Sequence, residues 1–347
     1  MKNELLYDLT IVGAGPAGIS LAAEVRNAGV AADKILVLEK APEHSWTIRS
    51  LYPAGKTVTA NYKGVPAVCR GILCLPDMSK DQTISYLDRA IAKTGVLVHY
   101  NEEVSQIESV GSDSSPLFRI TTSKGNYQSR LVVIATGIFG RPNKPDYTIP
   151  PQIRNRVHFD INSFKAADEA ILVVGGGDSA AEFAQFLVHN NNNKVTLSYR
   201  GGAFRRMNEI NRQSVLAMQK RGRLNILLGS DIDSLSASDS GKPLVRFKDK
   251  SLKPQSFDRI VYALGGTTPE NFLKSAGISY NAQTPDVNEN GESAIAGLFI
   301  SGDLLAGKRG GSIASAFNAS RETMNTICEN YLECTVTENS LTNFSFI

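Results

Sequence analysis

Two glycine-rich turns carry the chemistry that can be read from this chain. The first runs Gly13-Ala14-Gly15-Pro16-Ala17-Gly18 and the second Gly175-Gly176-Gly177-Asp178-Ser179-Ala180, with their first glycines 162 positions apart. Each follows a short β-branched apolar run, LTIV or ILVV, and each opens a helical stretch of small residues, ISLAAEV or AEFAQFL. In that setting Gly13 permits the tight turn, Gly15 lets the backbone approach a pyrophosphate, and Gly18 lets the helix close on the strand. The helix start offers free N–H groups and the positive end of its dipole to phosphate oxygens. Ala180 stands where the second turn would have its third glycine, a tolerated variant. The pattern predicts two dinucleotide sites.

What closes the second strand of each repeat separates the two ligands. Glu39, 26 residues past Gly13, closes the second strand, in KILVLEK. A carboxylate there accepts hydrogen bonds from ribose hydroxyls. The equivalent strand, NKVTLSYR, ends without an acid and leads into Arg200 and Arg205. Guanidinium groups pair with a 2′-phosphate that a carboxylate would repel. The first site therefore suits an unphosphorylated adenosine ribose, as in FAD, and the second suits NADPH. The plainer reading of the arginines is a solvated basic turn.

The cysteines leave alternatives open. Cys69 and Cys74 have Cys-x4-Cys spacing between Pro66 and Pro76. They read either as a redox-active pair or as two partly buried thiols in a substrate-facing loop. No second Cys/His pair has matching spacing, so no metal site is expected. Cys328 and Cys334 read as small apolar fillers with no assigned role.

These residues need a scaffold of some size. The chain has 347 residues, 42% of them hydrophobic and 20% charged, which predicts two globular domains rather than a disordered chain. No apolar run is long enough to span a membrane, and the N-terminus enters a strand with no secretory segment. Four cysteines do not make a disulfide scaffold, and a reducing cytoplasm is the expected home. The net charge of +3 does not point to nucleic acid. Strand, glycine turn, helix and strand occur in that order twice, so the fold is expected to be α/β. Residues 111–130 read as turns and short exposed strands, and residues 286–293 as a polar turn.

With two later motifs, these residues resemble the two-dinucleotide-binding-domain flavoproteins, in the thioredoxin-reductase-like branch. Ala135-Thr136-Gly137 resembles that family's strand-end return to FAD, and Gly302-Asp303 its C-terminal FAD motif. Gly311-Ser312-Ile313 opens the next helix. Tyr199-Arg200 with Phe204-Arg205 resembles the 2′-phosphate signature, with Gly201 where a second Arg is common. The resemblance implies two Rossmann-like three-layer ββα domains, the second inserted in the first: an FAD domain from 1–140 and 270–347 and an NADPH domain from 141–269. It implies FAD contacts at Gly13, Gly15, Pro16, Ala17, Gly18, Glu39 and Lys40, at Trp46, Tyr52 and Val104, and at Ala135, Thr136, Gly137, Gly302, Asp303, Ser312 and Ile313. It implies NADPH contacts at Gly175, Gly177, Asp178, Ser179, Ala180, Arg200, Arg205 and Gly265.

An absence narrows the branch. Thioredoxin reductases of this type carry Cys-x-x-Cys shortly before the second glycine turn, where this chain reads Val157-His158-Phe159-Asp160-Ile161-Asn162-Ser163-Phe164. Without a thiol pair there, reduced flavin must deliver electrons directly. The bacillithiol-disulfide reductase group also lacks the motif, but has Cys where this chain has Ala17. The chain most resembles the ferredoxin or flavodoxin–NADP reductases, including flavodoxin:quinone reductases. That resemblance rests on His44-Ser45, Tyr52-Pro53-Ala54-Gly55-Lys56, Arg141-Pro142-Asn143-Lys144-Pro145 and Tyr262-Ala263-Leu264-Gly265-Gly266-Thr267-Thr268-Pro269. It implies electron transfer between NADPH and an acidic one-electron carrier, flavodoxin or ferredoxin, or a quinone, by a homodimer. His158 is the candidate proton-handling neighbour of the flavin. Trp46, Tyr52, Phe159, Phe344 and Phe346 are candidate stacking residues, against a plainer reading as core or tail aromatics. Lys308 and Arg309 are candidate attractors for an acidic partner. From Arg200 to Arg223 seven basic residues face one acid, net +6, leaving the rest of the chain at −3. A disulfide reductase using Cys69 and Cys74, and a non-catalytic FAD-binding redox sensor, are the alternative functions.

Overall fold

The computed structural model describes residues 6–53, 55–60, 68–138, 142–189, 192–266, 269–281, 284–306 and 312–336. In chain order its helices are α1 (Pro16–Asn27), α2 (Trp46–Leu51), α3 (Lys80–Thr94), α4 (Asp178–His189), α5 (Glu209–Lys220), α6 (Glu270–Ser275), α7 (Asp303–Ala306) and α8 (Ile313–Ile327). The chain forms two compact units. One takes in residues 1–49, 57–140 and 268–347, and the other residues 50–56 and 141–267.

In the first unit, strands Val98–His99, Ile35–Leu38, Leu6–Val12 and Asn126–Ile134 lie side by side and parallel. The Ile35–Leu38 strand is buried throughout, as is Leu9–Val12, which is why these runs read as unbroken apolar segments. Leu298–Ile300 also pairs in parallel with Asn126–Ile134. Phe118–Thr122 and Val104–Ser109 extend the sheet antiparallel. One face carries Val12, Leu36, Val132, Ile134 and Ile300 in a common core. Across the sheet's other face α1 lies beside α8, joined by Ser320 Oγ donating to the Ala17 carbonyl (2.9 Å). α3 starts in a reciprocal capping box, Ser79 with Gln82, and stops at Gly95 in the left-handed region (φ +67°).

The second unit repeats the design. Its parallel strands run Leu224–Leu228, Lys194–Tyr199, Ala170–Val174, Arg259–Tyr262, Val157–His158. In both sheets the strand before the glycine turn lies between the strand that follows its helix and a later returning strand, which is the two-fold Rossmann-like order expected of the repeat. A small antiparallel sheet of Ile232–Ala237, Pro243–Phe247 and Gln255–Ser256 completes it.

Two sequence expectations are corrected. Within residues 111–130, Phe118–Thr122 is not a short exposed strand. Phe118 and Ile120 are fully buried because every second side chain of FRITT turns into the first core. Cys328 and Cys334 are not separate apolar fillers but are joined to each other, and of the two readings of Cys69 and Cys74 the structure has the joined pair. The second bond closes the π-helical turn Cys328–Leu332 that ends α8.

Candidate functional site

The first glycine turn is held by three neighbours. Gly13 N–H donates to the Leu38 carbonyl (2.8 Å), and Ala135 N–H donates to the Val12 carbonyl (2.8 Å), so Ala135-Thr136-Gly137 arrives beside the turn. Gly13 has φ +108°, and a Cβ on it would lie 2.7 Å from the Ala135 oxygen. A Cβ on Gly18 would collide with the Gly13 carbonyl, whereas one on Gly15 would meet open space. The crowding at Gly13 and Gly18 seats the helix on the strand, and the open side at Gly15 is where a pyrophosphate can approach. Gly15 caps α1 with no side-chain hydrogen bond, and Pro16 removes one donor that the helix could not satisfy, leaving Ala17 and Gly18 N–H at the tip.

Glu39 lies at the floor of this turn, 8% exposed. Its carboxylate accepts from Ala14 N–H and Ala41 N–H, both 2.8 Å. A carboxylate has about four lone-pair positions, so Glu39 both pins the turn and keeps acceptor capacity for ribose hydroxyls. Gly302 packs against Ala17, where a Cβ would lie 2.7 Å from the Ala17 Cβ, and so brings half-buried Asp303 to the same tip. Ser312 caps α8, its Oγ accepting from Ser315 N–H (3.4 Å), and Ile313 follows at 9% exposure. Lys40 and Trp46 are exposed, and Val104 packs into the first core. Gly311, Lys308, Arg309, Phe344 and Phe346 lie outside the described residues, as do Ala54, Arg141, Thr267 and Thr268.

A polar chain behind the turn was legible only as the pair His44-Ser45. Ser45, in the left-handed region at φ +53°, donates its N–H to the Ala14 carbonyl (2.8 Å). Its Oγ meets His44 Nδ1 (3.0 Å), and His44 Nε2 meets Asp88 Oδ1 (2.5 Å). Arg49 donates to the same Asp88 oxygen (2.9 Å) and to the His44 carbonyl (2.9 Å).

The second turn is built alike. Gly175 N–H donates to the Ser198 carbonyl (2.9 Å), and Ala263 N–H to the Val174 carbonyl (2.8 Å). A Cβ on Gly175 would lie 2.5 Å from the Ala263 oxygen, and one on Gly177 would meet open space. Asp178 accepts from Asn208 N–H (2.8 Å) and Asn211 Nδ2 (3.1 Å), tying the start of α4 to the start of α5. Ser179 is exposed and Ala180 fully buried. Gly265 (φ +78°) accepts from Asn143 N–H (2.9 Å). Arg200 and Arg205 are exposed beyond the strand end. The Tyr199 ring stacks on Phe204 (5.7 Å) and covers both Gly176 and Gly201. A Cβ at 201 would lie 2.6 Å from that ring, so the glycine is what the tyrosine requires.

Two expectations take a different setting. Tyr52 belongs to the second unit, with Lys56 Nζ 3.8 Å above its ring. Lys56 pairs with Glu182 of α4 at 2.7 Å, both about four-fifths buried, a pair that no local sequence signal could reveal across 126 residues. His158 is engaged on both nitrogens, Nδ1 with Ser163 Oγ (3.2 Å) and Nε2 with Arg259 Nη1 (3.3 Å), and stacks on Phe164 (4.2 Å). Arg259 is held in turn by Glu169 through Nε (2.6 Å) and Nη2 (3.1 Å). Burial, then the Arg259 charge, push the His158 pKa below the ordinary imidazole value. Phe159 stacks on Tyr262 (5.4 Å).

A match to the pyridine nucleotide-disulphide oxidoreductase family runs over residues 10–302, from the first strand through Gly302. The chain belongs to that family. It is an oxidoreductase. Among curated relatives it is 28% identical over 308 residues to a ferredoxin–NADP reductase of Streptococcus mutans, covering 86% of this chain and 83% of that protein. It is 25% identical over 310 residues to the ferredoxin–NADP reductase of Halalkalibacterium halodurans, covering 87% and 86%. Among solved structures it resembles the bacillithiol disulfide reductase of Staphylococcus aureus, with TM-score 0.78, 21% identity and coverage of 94% and 99%. It also resembles the thioredoxin reductase of Lactococcus lactis, with TM-score 0.75, 22% identity and the same coverage. These structural likenesses establish the fold.

Proposed function

We propose that this family member is an FAD-dependent NADPH oxidoreductase that passes electrons between NADPH and a one-electron carrier, flavodoxin or ferredoxin, with a quinone as a further acceptor. The observation that carries the reading is likeness to ferredoxin–NADP reductases over 86% of the chain, within a family match that spans both glycine turns. Bound FAD supplies the conversion between two-electron and one-electron transfer.

The protein's own residues bind and orient. At the first turn, uncapped Ala17 and Gly18 N–H groups and the open face of Gly15 fit a pyrophosphate. Glu39 takes the ribose hydroxyls, and Asp303 stands at the same helix tip. At the second turn the open face of Gly177 fits the other pyrophosphate, and Arg200 and Arg205 take the 2′-phosphate. His158, kept neutral by burial and Arg259, orients its strand and is the candidate proton carrier of the second unit.

The chain has no Cys-x-x-Cys before its second glycine turn, which favours a direct acceptor over a disulfide relay. No described helix is long and apolar enough to cross a membrane; from its likeness to ferredoxin–NADP reductases we place the enzyme in the cytoplasm as a homodimer. Stopped-flow reduction of the yellow protein by NADPH and by NADH, then reoxidation by flavodoxin or ferredoxin, tests the reading. Fast bleaching by NADPH with carrier turnover is expected. A colourless protein that takes up no FAD overturns it.

A further inference from the structure

The Cys69–Cys74 bond closes a six-residue ring, and the ring's backbone is gripped by three helices of the first unit. From α8, the Asn318 carboxamide donates to the Val68 carbonyl (2.7 Å) and accepts from Arg70 N–H (2.9 Å). From α1, Glu24 accepts from Ile72 N–H (2.7 Å). From α3, the Tyr86 hydroxyl accepts from Cys74 N–H (3.0 Å). Gly71 presses so close that a Cβ would lie 2.5 Å from Glu24 Oε1.

Glu24 makes this ring consequential. Its side chain is fully buried and paired with Arg321 of α8 at 2.9 Å. A buried carboxylate is tolerable only while its donors stay in place. Ile72 N–H is one of them, and the closed ring holds it there. The same two helices, α1 and α8, carry the tips at Gly15 and Ser312 where FAD is expected. Glu24 sits eight residues along α1, about 12 Å from that tip. The ring is therefore placed to brace the cradle from its flank rather than to stand at its mouth. Both sulfur-bearing residues are half-exposed, whereas Cys328 of the other bond is 2% exposed.

We infer that Cys69–Cys74 is a reversible thiol–disulfide site, opened by a protein dithiol, whose oxidation state sets how tightly the first unit holds FAD. A thiolate of the reductant attacks one sulfur, the mixed disulfide forms, and the second thiol resolves it. Two electrons and two protons pass to Cys69 and Cys74, and the reductant leaves as its disulfide. Opening frees Ile72 N–H from Glu24 and loosens α1 against α8. By linkage, a tenfold weaker hold on FAD in the dithiol form means that saturating FAD lowers the pair's potential by about 30 mV. The inference rests on the FAD reading above, but needs no turnover to test.

The full-length protein is equilibrated in dithiothreitol redox buffers, trapped natively with iodoacetamide, and its peptides weighed. The FAD dissociation constant is read in parallel from flavin fluorescence. Expected results are native labelling of Cys69 and Cys74 with FAD binding weakened at least tenfold. The double variant Cys69→Ala/Cys74→Ala should bind at the weak level without response, and Cys328→Ala/Cys334→Ala should keep the response. Labelling only after unfolding, or FAD affinity equal within twofold in both states, overturns the inference and leaves the FAD reading standing. No FAD binding in either state defeats both.

Discussion

Arg200 and Arg205 stand exposed past the end of the Lys194–Tyr199 strand. Each charge-assisted hydrogen bond to a phosphate is worth about 1.5–3 kcal/mol. Replacing both by Ala should therefore raise the KM for NADPH by at least about 100-fold while leaving that for NADH within about threefold. Equal losses with both nucleotides would return the pair to an ordinary basic turn. Glu39→Ala removes the acceptor of two buried N–H groups, Ala14 and Ala41. Weakening of FAD by tenfold or more, read by fluorescence, is the expected outcome. These residues were legible because each requirement is local: a turn, a strand end, the charge that follows. Lys56 and Glu182 were not, because a 2.7 Å contact between residues 126 apart leaves no trace in either neighbourhood.

Two elements can be tested by what they cannot accommodate. α1 meets its strand so closely at Gly18 that a methyl group would overlap the Gly13 carbonyl. Gly18→Ala should cost about 1–3 kcal/mol in denaturant unfolding of the apoprotein and reduce FAD uptake. A variant as stable and as yellow as the parent would show that the helix can retreat. The Val157–His158 strand is held by a neutral imidazole. Because burial and Arg259 lower the folded pKa below 6.5, the unfolded state takes up more protons as pH falls. The contribution of the neutral ring is complete above pH 6.5 and declines as pH drops through the lower folded value. His158→Gln should flatten the stability profile on the acidic side. An unchanged slope would assign it to other groups. The helices and parallel strands were readable from their apolar runs, but the strand Phe118–Thr122 was not. Its alternating pattern puts Phe118 and Ile120 inward among polar neighbours, which in a single sequence looks like surface. The Cys328–Cys334 bond was unreadable too, since spacing does not say that two Cα atoms lie 4.5 Å apart.

At the scale of the whole molecule the charge is uneven: +6 between Arg200 and Arg223 on a chain of +3. Fields of this kind accelerate association with an acidic protein and fade with salt. Reduction of flavodoxin or ferredoxin should slow several-fold in the triple variant Lys220→Glu, Arg221→Glu, Arg223→Glu, and the wild-type rate should fall steeply between about 0.05 and 0.3 M salt. Reduction of a small neutral quinone is the control and should move little. Equal slowing of both acceptors would place the effect on NADPH instead. The doubled architecture was the most legible property of all, because the two glycine turns repeat with their strands and helices in the same order. One short stretch breaks that simplicity. Residues 50–56 are counted with the second unit although the chain on either side belongs to the first, so the polypeptide changes units four times. A fragment spanning only 141–267 would lack Lys56 and Tyr52, leaving Glu182 without its ammonium partner. Gene dissection or a protease cut at the two obvious linkers therefore cannot yield an intact second half. The polypeptide behaves as a braid rather than as beads on a string.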